Sequence, residues 1–173
     1  MKTNYSKVIF AVICVLLSAV FIISASSCGL FNKTYEVDGK SMEDTLKDGQ
    51  KVTVKPLNGK PKQGDIICID SGKNYSKPLF KRVIAAEGQY LTLDYDNDRI
   101  LVDNVELDEP YRKGTAFAGN YGDKYLKLDE KNGITIPEHK AFVMGDNRQV
   151  SLDSRNDVIG LVDYDDIIGI VSE

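Results

Sequence analysis

Beyond residue 33 the chain is written in short apolar runs separated by turn residues, and no stretch there keeps a helical period. Lys51-Val52-Thr53-Val54-Lys55 alternates with a period of two, which predicts a strand with one face buried. Ile66-Ile67-Cys68-Ile69 and Val83-Ile84-Ala85-Ala86 are short apolar runs that likewise read as strands. The same reasoning predicts strands at 34–37, 51–55, 65–69, 79–86, 90–93, 100–102, 105–107, 134–136, 141–144 and 167–171, a mostly β domain. Asp103-Asn104 separates two of these runs, and both residues tolerate positive φ, so the pair predicts a tight hairpin. Residues 56–64, with two prolines and two glycines, read as a loop. Residues 111–125 are rich in Gly, Ala and Tyr without a period, and read as a flexible excursion from the sheet.

The N-terminus has a different pattern. Residues 8–25 are almost all Val, Ile, Phe, Leu and Ala, long enough to cross a bilayer as one helix. Lys2 and Lys7 precede that run, so the positive-inside tendency places the N-terminus in the cytoplasm and everything after Lys33 outside. A basic start, an apolar core and then Ser-Ala-Ser-Ser also fit a cleavable secretory signal, and Cys28-Gly29 fits a lipid-modified cysteine. An uncleaved anchor is the preferred reading, because Ala25 stands where a lipoprotein signal carries a larger aliphatic residue. The chain therefore divides into a cytoplasmic tip and membrane anchor (1–32) and an extracytoplasmic domain (33–173).

Composition narrows the options further. At 173 residues and 42% apolar, the chain supports one compact core and no second domain. A net charge of −4 with no basic cluster argues against a nucleic-acid partner. Three cysteines are an odd number, Cys14 lies in the apolar run, and Cys68 reads as a small buried hydrophobe. No disulfide framework or metal spacing follows from them. Asp94-Tyr95-Asp96-Asn97-Asp98 has the alternating acids of a calcium loop, but Arg99 and Val105 replace its glycine and glutamate, so a polar hairpin turn is expected.

The candidate chemistry begins with an exclusion. The single histidine, His139, sits in a polar turn before an apolar strand and is expected at the surface, so a serine nucleophile would need another base. A lysine can take a hydroxyl proton if burial destabilises its ammonium form. Ser41 follows Gly39-Lys40, and Lys81 lies in the strand-like run Leu79-Phe80-Lys81-Arg82-Val83, where alternation puts Leu79, Lys81 and Val83 on one face. Taken alone, a strand lysine is more often an exposed edge residue.

Several blocks change that balance together. Gly39-x-Ser41-Met42-x-x-Thr45-Leu46, Gly64-Asp65-Ile66, Lys81-Arg82-Val83-Ile84 with Gly88, and Gly145-Asp146-Asn147-Arg148-x-x-Ser151-x-Asp153-Ser154-Arg155 resemble the ordered boxes of type I signal peptidases. With the upstream span and the strand at Ile167-Ile168-Gly169, the resemblance covers nearly the whole chain. It implies a partly open, barrel-like fold of antiparallel sheets behind one transmembrane helix. It also implies a plasma-membrane Ser/Lys endopeptidase, without cofactor or metal, that removes signal peptides from exported preproteins after Ala-x-Ala-type sites. A monomer is expected, with membrane lipid and preprotein signal peptides as partners.

By that resemblance Ser41 attacks the scissile carbonyl, Lys81 is general base and then acid, and Ser151 hydrogen-bonds the Lys81 amine. The Ser41 amide is the expected oxyanion donor. Asp146 with Arg82, and Asp153 with Arg155, are supporting ion pairs. An extended substrate would lie between the strand before Ser41 and the strand leading to Lys81. Val37, Met42, Leu46, Leu79 and Phe80 are candidates for its pocket walls, although core residues would look the same. The sequence departs from the family pattern at Asp44, where proline is usual, and at Ala85-Ala86-Glu87-Gly88, where Gly-Leu-Pro-Gly is usual. These departures leave open a non-catalytic, surface-anchored binding module on the same fold. A self-cleaving Ser/Lys repressor would need a DNA-binding region for which the chain has no room.

Overall fold

The computed structural model describes residues 32–70, 72, 77–117 and 133–172, so the predicted anchor at 8–25 lies outside the described residues. Among the described residues no helix is long and apolar enough to cross a membrane. From Lys33 onwards they form one compact unit built on strands.

The strands are β1 (Lys33–Glu36), β2 (Lys51–Lys55), β3 (Ile66–Ile69), β4 (Leu79–Ala86), β5 (Tyr90–Asp94), β6 (Arg99–Val102), β7 (Val105–Glu106), β8 (Ile134–Thr135), β9 (Lys140–Met144), β10 (Val162–Asp163) and β11 (Ile167–Val171). A seven-stranded sheet runs β1-β2-β11-β3-β4-β9-β10, and a four-stranded sheet runs β7-β6-β5-β8. Every strand pairing is antiparallel. The large sheet ends at the edges β1 and β10 instead of closing, so the mainly β, partly open architecture expected from the sequence is observed.

Local chemistry explains most of these elements. In β2 the two valines are buried and the flanking Lys and Thr are exposed. The β6–β7 hairpin turns at Asp103 and Asn104, with φ of 54° and 64°, the twist that a two-residue hairpin needs. The Asp94–Asp98 segment is a turn between β5 and β6, as expected, with Asp94 accepting from the Asn97 amide and from Arg99. β10 was not predicted: two residues are too few to show alternation.

Three apolar clusters fill the unit. One centres on Ile84 and Phe142 of the large sheet and Leu91 and Leu93 of the small one. A second joins Ile67, Val83, Val143 and Tyr164. The third contains Val37, Met42, Leu46, Val52, Val54, Cys68 and Phe80. Cys68 is fully buried, and desolvation pushes its thiol up to about 12, consistent with the small-hydrophobe reading.

The 111–125 excursion needs correction over its described part. Residues 111–117 are tied down: Lys113 bridges to Asn147, its amide donates to the Asp146 carbonyl, and Ala116 is fully buried. These bonds are made between distant parts of the chain, so no local period announces them.

Candidate active site

The nucleophile candidate sits on a turn that the backbone fixes from both ends. Gly39, at φ +85°, turns the chain just before Ser41, a conformation that a side chain would strain. Its amide donates to Asp48 Oδ1 at 2.8 Å. After Ser41 the Leu46 amide closes on the Met42 carbonyl at 2.8 Å, and the Ser41 carbonyl accepts from the Asn147 amide at 3.0 Å. Thr45 Oγ1 donates to Asp146 Oδ2. The turn is thereby anchored to the 145–148 block. The Ser41 amide itself donates to no acceptor among the described residues.

Lys81 is not the edge residue that its position in a strand would suggest. β4 lies between β3 and β9, with Lys81 opposite Ile67, and the side chain is 3% exposed. Its Nζ reaches Ser41 Oγ at 2.8 Å. Burial is the dominant influence on this amine and lowers its pKa to about 8; Arg155 acts in the same direction, while Asp153 and Asp146 oppose it. A desolvated amine within hydrogen-bond reach of a hydroxyl is the geometry of a general base beside its nucleophile.

The two carboxylates named from the sequence are each gripped by an arginine. Arg82 holds Asp146 through Nε at 2.9 Å and Nη2 at 2.7 Å, and stacks over the Tyr111 ring 3.9 Å from its centroid. Arg155, wholly buried, bonds Asp153 through Nε at 2.7 Å and Nη2 at 2.9 Å. It also donates to the carbonyls of Arg148 at 2.9 Å and Ser151 at 3.2 Å. Asp153 Oδ2 in turn accepts from the Gly145 amide at 3.0 Å. A buried arginine that satisfies this many acceptors fixes the 148–153 loop around itself.

Ser151 departs from expectation. It is fully buried and close to Ser41, but its Oγ accepts from the Gly145 amide at 3.1 Å, and the expected bond to Lys81 Nζ is not formed. Its contact is with the Gly145 turn: a Cβ built on Gly145 would lie 2.3 Å from Ser151 Oγ and 2.4 Å from the Ser41 carbonyl. Gly145 is thus the point where the nucleophile turn and the Ser151 loop pack against one another.

A cleft of about 300 Å³ opens over the pair, bounded by Asp38, Gly39 and Lys40 on one side. Leu79, Val150 and Leu152 line the rest. Of the predicted pocket walls only Leu79 faces this cleft. Val37, Met42, Leu46 and Phe80 belong to the third core cluster, because the apolarity that marked them serves burial equally well. Val150 was missed, as was Glu109, which is buried against Arg148. The only sequence signal for Val150 was an apolar residue inside an otherwise polar block. His139 is exposed in its turn at φ +57° with its ring near Tyr164, away from these groups.

A mainly β unit with a serine hydroxyl within hydrogen-bond reach of a buried amine, both lining an open cleft, has the arrangement that nucleophilic hydrolases use. Sequence comparison places it within that class. The family model for signal peptidase, peptidase S26, matches residues 4–173. Signal peptidase IB of Staphylococcus aureus is 36% identical over 148 residues, 80% of this chain and 74% of the relative. Signal peptidase I P of Bacillus subtilis subsp. natto is 37% identical over 147 residues, 78% of this chain and 72% of the relative. A crystal structure of a signal peptidase I from Enterococcus faecalis, 29% identical, matches with a TM-score of 0.49 over 65% of this chain and 97% of that one. The chain belongs to the signal peptidase family, peptidase S26.

Proposed function

We propose that this chain is a membrane-anchored serine endopeptidase that removes N-terminal signal peptides from exported preproteins, cutting after small residues of the Ala-x-Ala type. Ser41 is its nucleophile and Lys81 its general base. The observation that carries the reading is the 2.8 Å contact between Lys81 Nζ and Ser41 Oγ, made by an amine that burial brings down to about 8.

In the reaction the Ser41 proton passes to neutral Lys81 as Oγ bonds to the scissile carbonyl carbon. The oxyanion takes the Ser41 amide, which has no competing acceptor among the described residues. Lys81 then returns the proton to the leaving amine as the C–N bond breaks. In the second half a water molecule gives its proton to Lys81 while its oxygen attacks the acyl-serine, and Lys81 reprotonates Ser41 Oγ as the ester opens. Ser151 acts through Gly145: it holds the turn on which Ser41 rests. Residues 8–25 supply the anchor, with the N-terminus cytoplasmic and the peptidase unit outside.

The test is cleavage of a preprotein-derived Ala-x-Ala peptide by the full chain in detergent, with Ser41→Ala beside it. Cutting after the second Ala by the wild type alone is expected. Equal cutting by both would remove Ser41 from the reaction, and silence from a folded wild type would return the weight to a non-catalytic module.

A further inference from the structure

We propose that Val150 is a specificity-determining residue: with Leu152 it forms a wall against which a substrate side chain beside the scissile bond packs, and it demands that this side chain be uncharged. The inference rests on the peptidase reading above and names a substrate contact within it.

Three observations converge on this wall. Val150 and Leu152 line the same cleft as Ser41 and Lys81. At about 300 Å³ that cleft is at the small end for ligand sites, so no lining residue stands far from the reacting atoms. Second, Val150 is 56% exposed although it flanks the fully buried Ser151. An isolated exposed valine means little, but this one lines a concave surface together with Leu79 and Leu152.

Third, the loop presenting Val150 is held in place before any substrate arrives. The Val150 amide donates to the Asn147 carbonyl at 3.3 Å, the Ser151 amide to the same carbonyl at 3.2 Å, and Arg155 grips the carbonyls on either side of Val150, those of Arg148 and Ser151. A side chain on a pinned loop selects by shape and polarity, because it cannot withdraw. Ser41 and Lys81 are committed to each other, and the two other charged lining residues, Asp38 and Lys40, carry opposite signs, Asp38 pairing with Lys77, so the wall of Val150 and Leu152 itself offers a charged substrate side chain no partner. Burying such a charge unpaired would be costly.

A charge placed on the wall tests this. The full chain in detergent is assayed as wild type, Val150→Glu, Val150→Lys and, as a control at 51% exposure outside the cleft, Val158→Glu. The peptides are Ala-x-Ala substrates carrying Lys, Glu or Ala in turn at each of two positions on either side of the scissile bond. Val150→Glu is expected to raise the Lys-to-Glu ratio of kcat/KM about tenfold at one position, and Val150→Lys to lower it at that same position. Val158→Glu changes the ratio less than twofold. The same peptides are titrated by fluorescence anisotropy onto a Ser41→Ala background, where the ratio of Kd values should move in the same sense. Ratios unmoved at every position, with thermal unfolding unchanged, overturn the wall. If the wild type cuts no peptide, the anisotropy series decides alone: a shifted ratio upholds the wall and discards the peptidase reading, and an unshifted one discards both.

Discussion

Replacing Lys81 by methionine should abolish turnover and, at neutral pH, make the protein more stable. The second effect follows from the first group's environment. An ordinary lysine amine titrates at 10.5, and Lys81 titrates at about 8 because burial disfavours its charged form. That difference corresponds to about 3 kcal/mol by proton linkage. Below pH 8 the folded and unfolded chains both hold the proton, and the folded state carries the whole penalty. Between pH 8 and 10.5 the folded chain has released its proton while the unfolded chain keeps it, so stability rises with pH. Above 10.5 neither holds it and the penalty is gone.

Methionine removes the charge, fills a similar volume and packs adaptably. It also forfeits the bond to Ser41, a loss of about 1 kcal/mol, which leaves a net gain of about 2 kcal/mol at pH 7. Denaturant unfolding of the full chain in detergent, run for wild type and Lys81→Met at pH 7 and pH 10.5, reads this directly. The gap between the two proteins should be present at pH 7 and vanish or reverse at pH 10.5. A methionine variant less stable than wild type at pH 7, or a gap of the same size at both pH values, would refute the claim that Lys81 is held against its charge. The activity profile offers the kinetic counterpart: kcat/KM should rise about tenfold per pH unit up to about 8 and then level.

Three further outcomes are expected. Gly145→Ala should lose activity and several degrees of Tm together, since its Cβ would press within 2.4 Å of both Ser151 Oγ and the Ser41 carbonyl. Asp153→Asn should cost about 3–5 kcal/mol in unfolding free energy by leaving Arg155 uncompensated in the interior. It should also move the rise of the pH–rate profile to lower pH, because Asp153 is a charge that raises the Lys81 pKa. Ser151→Ala should lower kcat while leaving the position of that rise unchanged, since its hydroxyl contacts the Gly145 amide and not the amine. A displaced profile would instead indicate a direct Ser151–Lys81 bond during turnover.

The parts of this fold that were legible in the sequence are those governed by neighbours along the chain. Alternation located β2 and β4, and the turn preference of Asp103-Asn104 located the β6–β7 hairpin. Ser41 and Lys81 were legible only through the resemblance of the ordered blocks to a family, since a serine after a glycine and a lysine in a strand each say little alone. What was illegible is settled between distant residues. Glu109 finds Arg148, Tyr111 stacks on Arg82 and Lys113 bridges to Asn147, and none of these contacts leaves a periodic trace. Val37, Met42, Leu46 and Phe80 against Val150 make the same point from the other side. Apolarity alone does not say whether a residue faces the core or the cleft, and only the position of the sheet decides.

The arrangement of buried charge suggests why the 145–155 block is so dense in ionisable residues. Burial alone lowers the pKa of a lysine, but a site must also keep that lysine aimed at a serine borne on a separate turn. Apolar packing around Lys81 eases its deprotonation and supplies no direction. Direction comes from Asp146, which binds both Arg82 on the lysine's own strand and Thr45 on the serine's turn. One carboxylate thus ties the strand that carries Lys81 to the turn that carries Ser41. Its negative charge nevertheless favours the ammonium form, in which Lys81 could not act as the proposed base, and Arg82, by engaging both carboxylate oxygens, limits that influence. Asp153 and Arg155 repeat the solution for the loop that carries Ser151 and Val150. Replacing either pair with apolar residues of equal volume would spare the protein their desolvation. It would also unfasten the two halves of the site, and the amine would stay easy to deprotonate with nothing holding the hydroxyl in front of it.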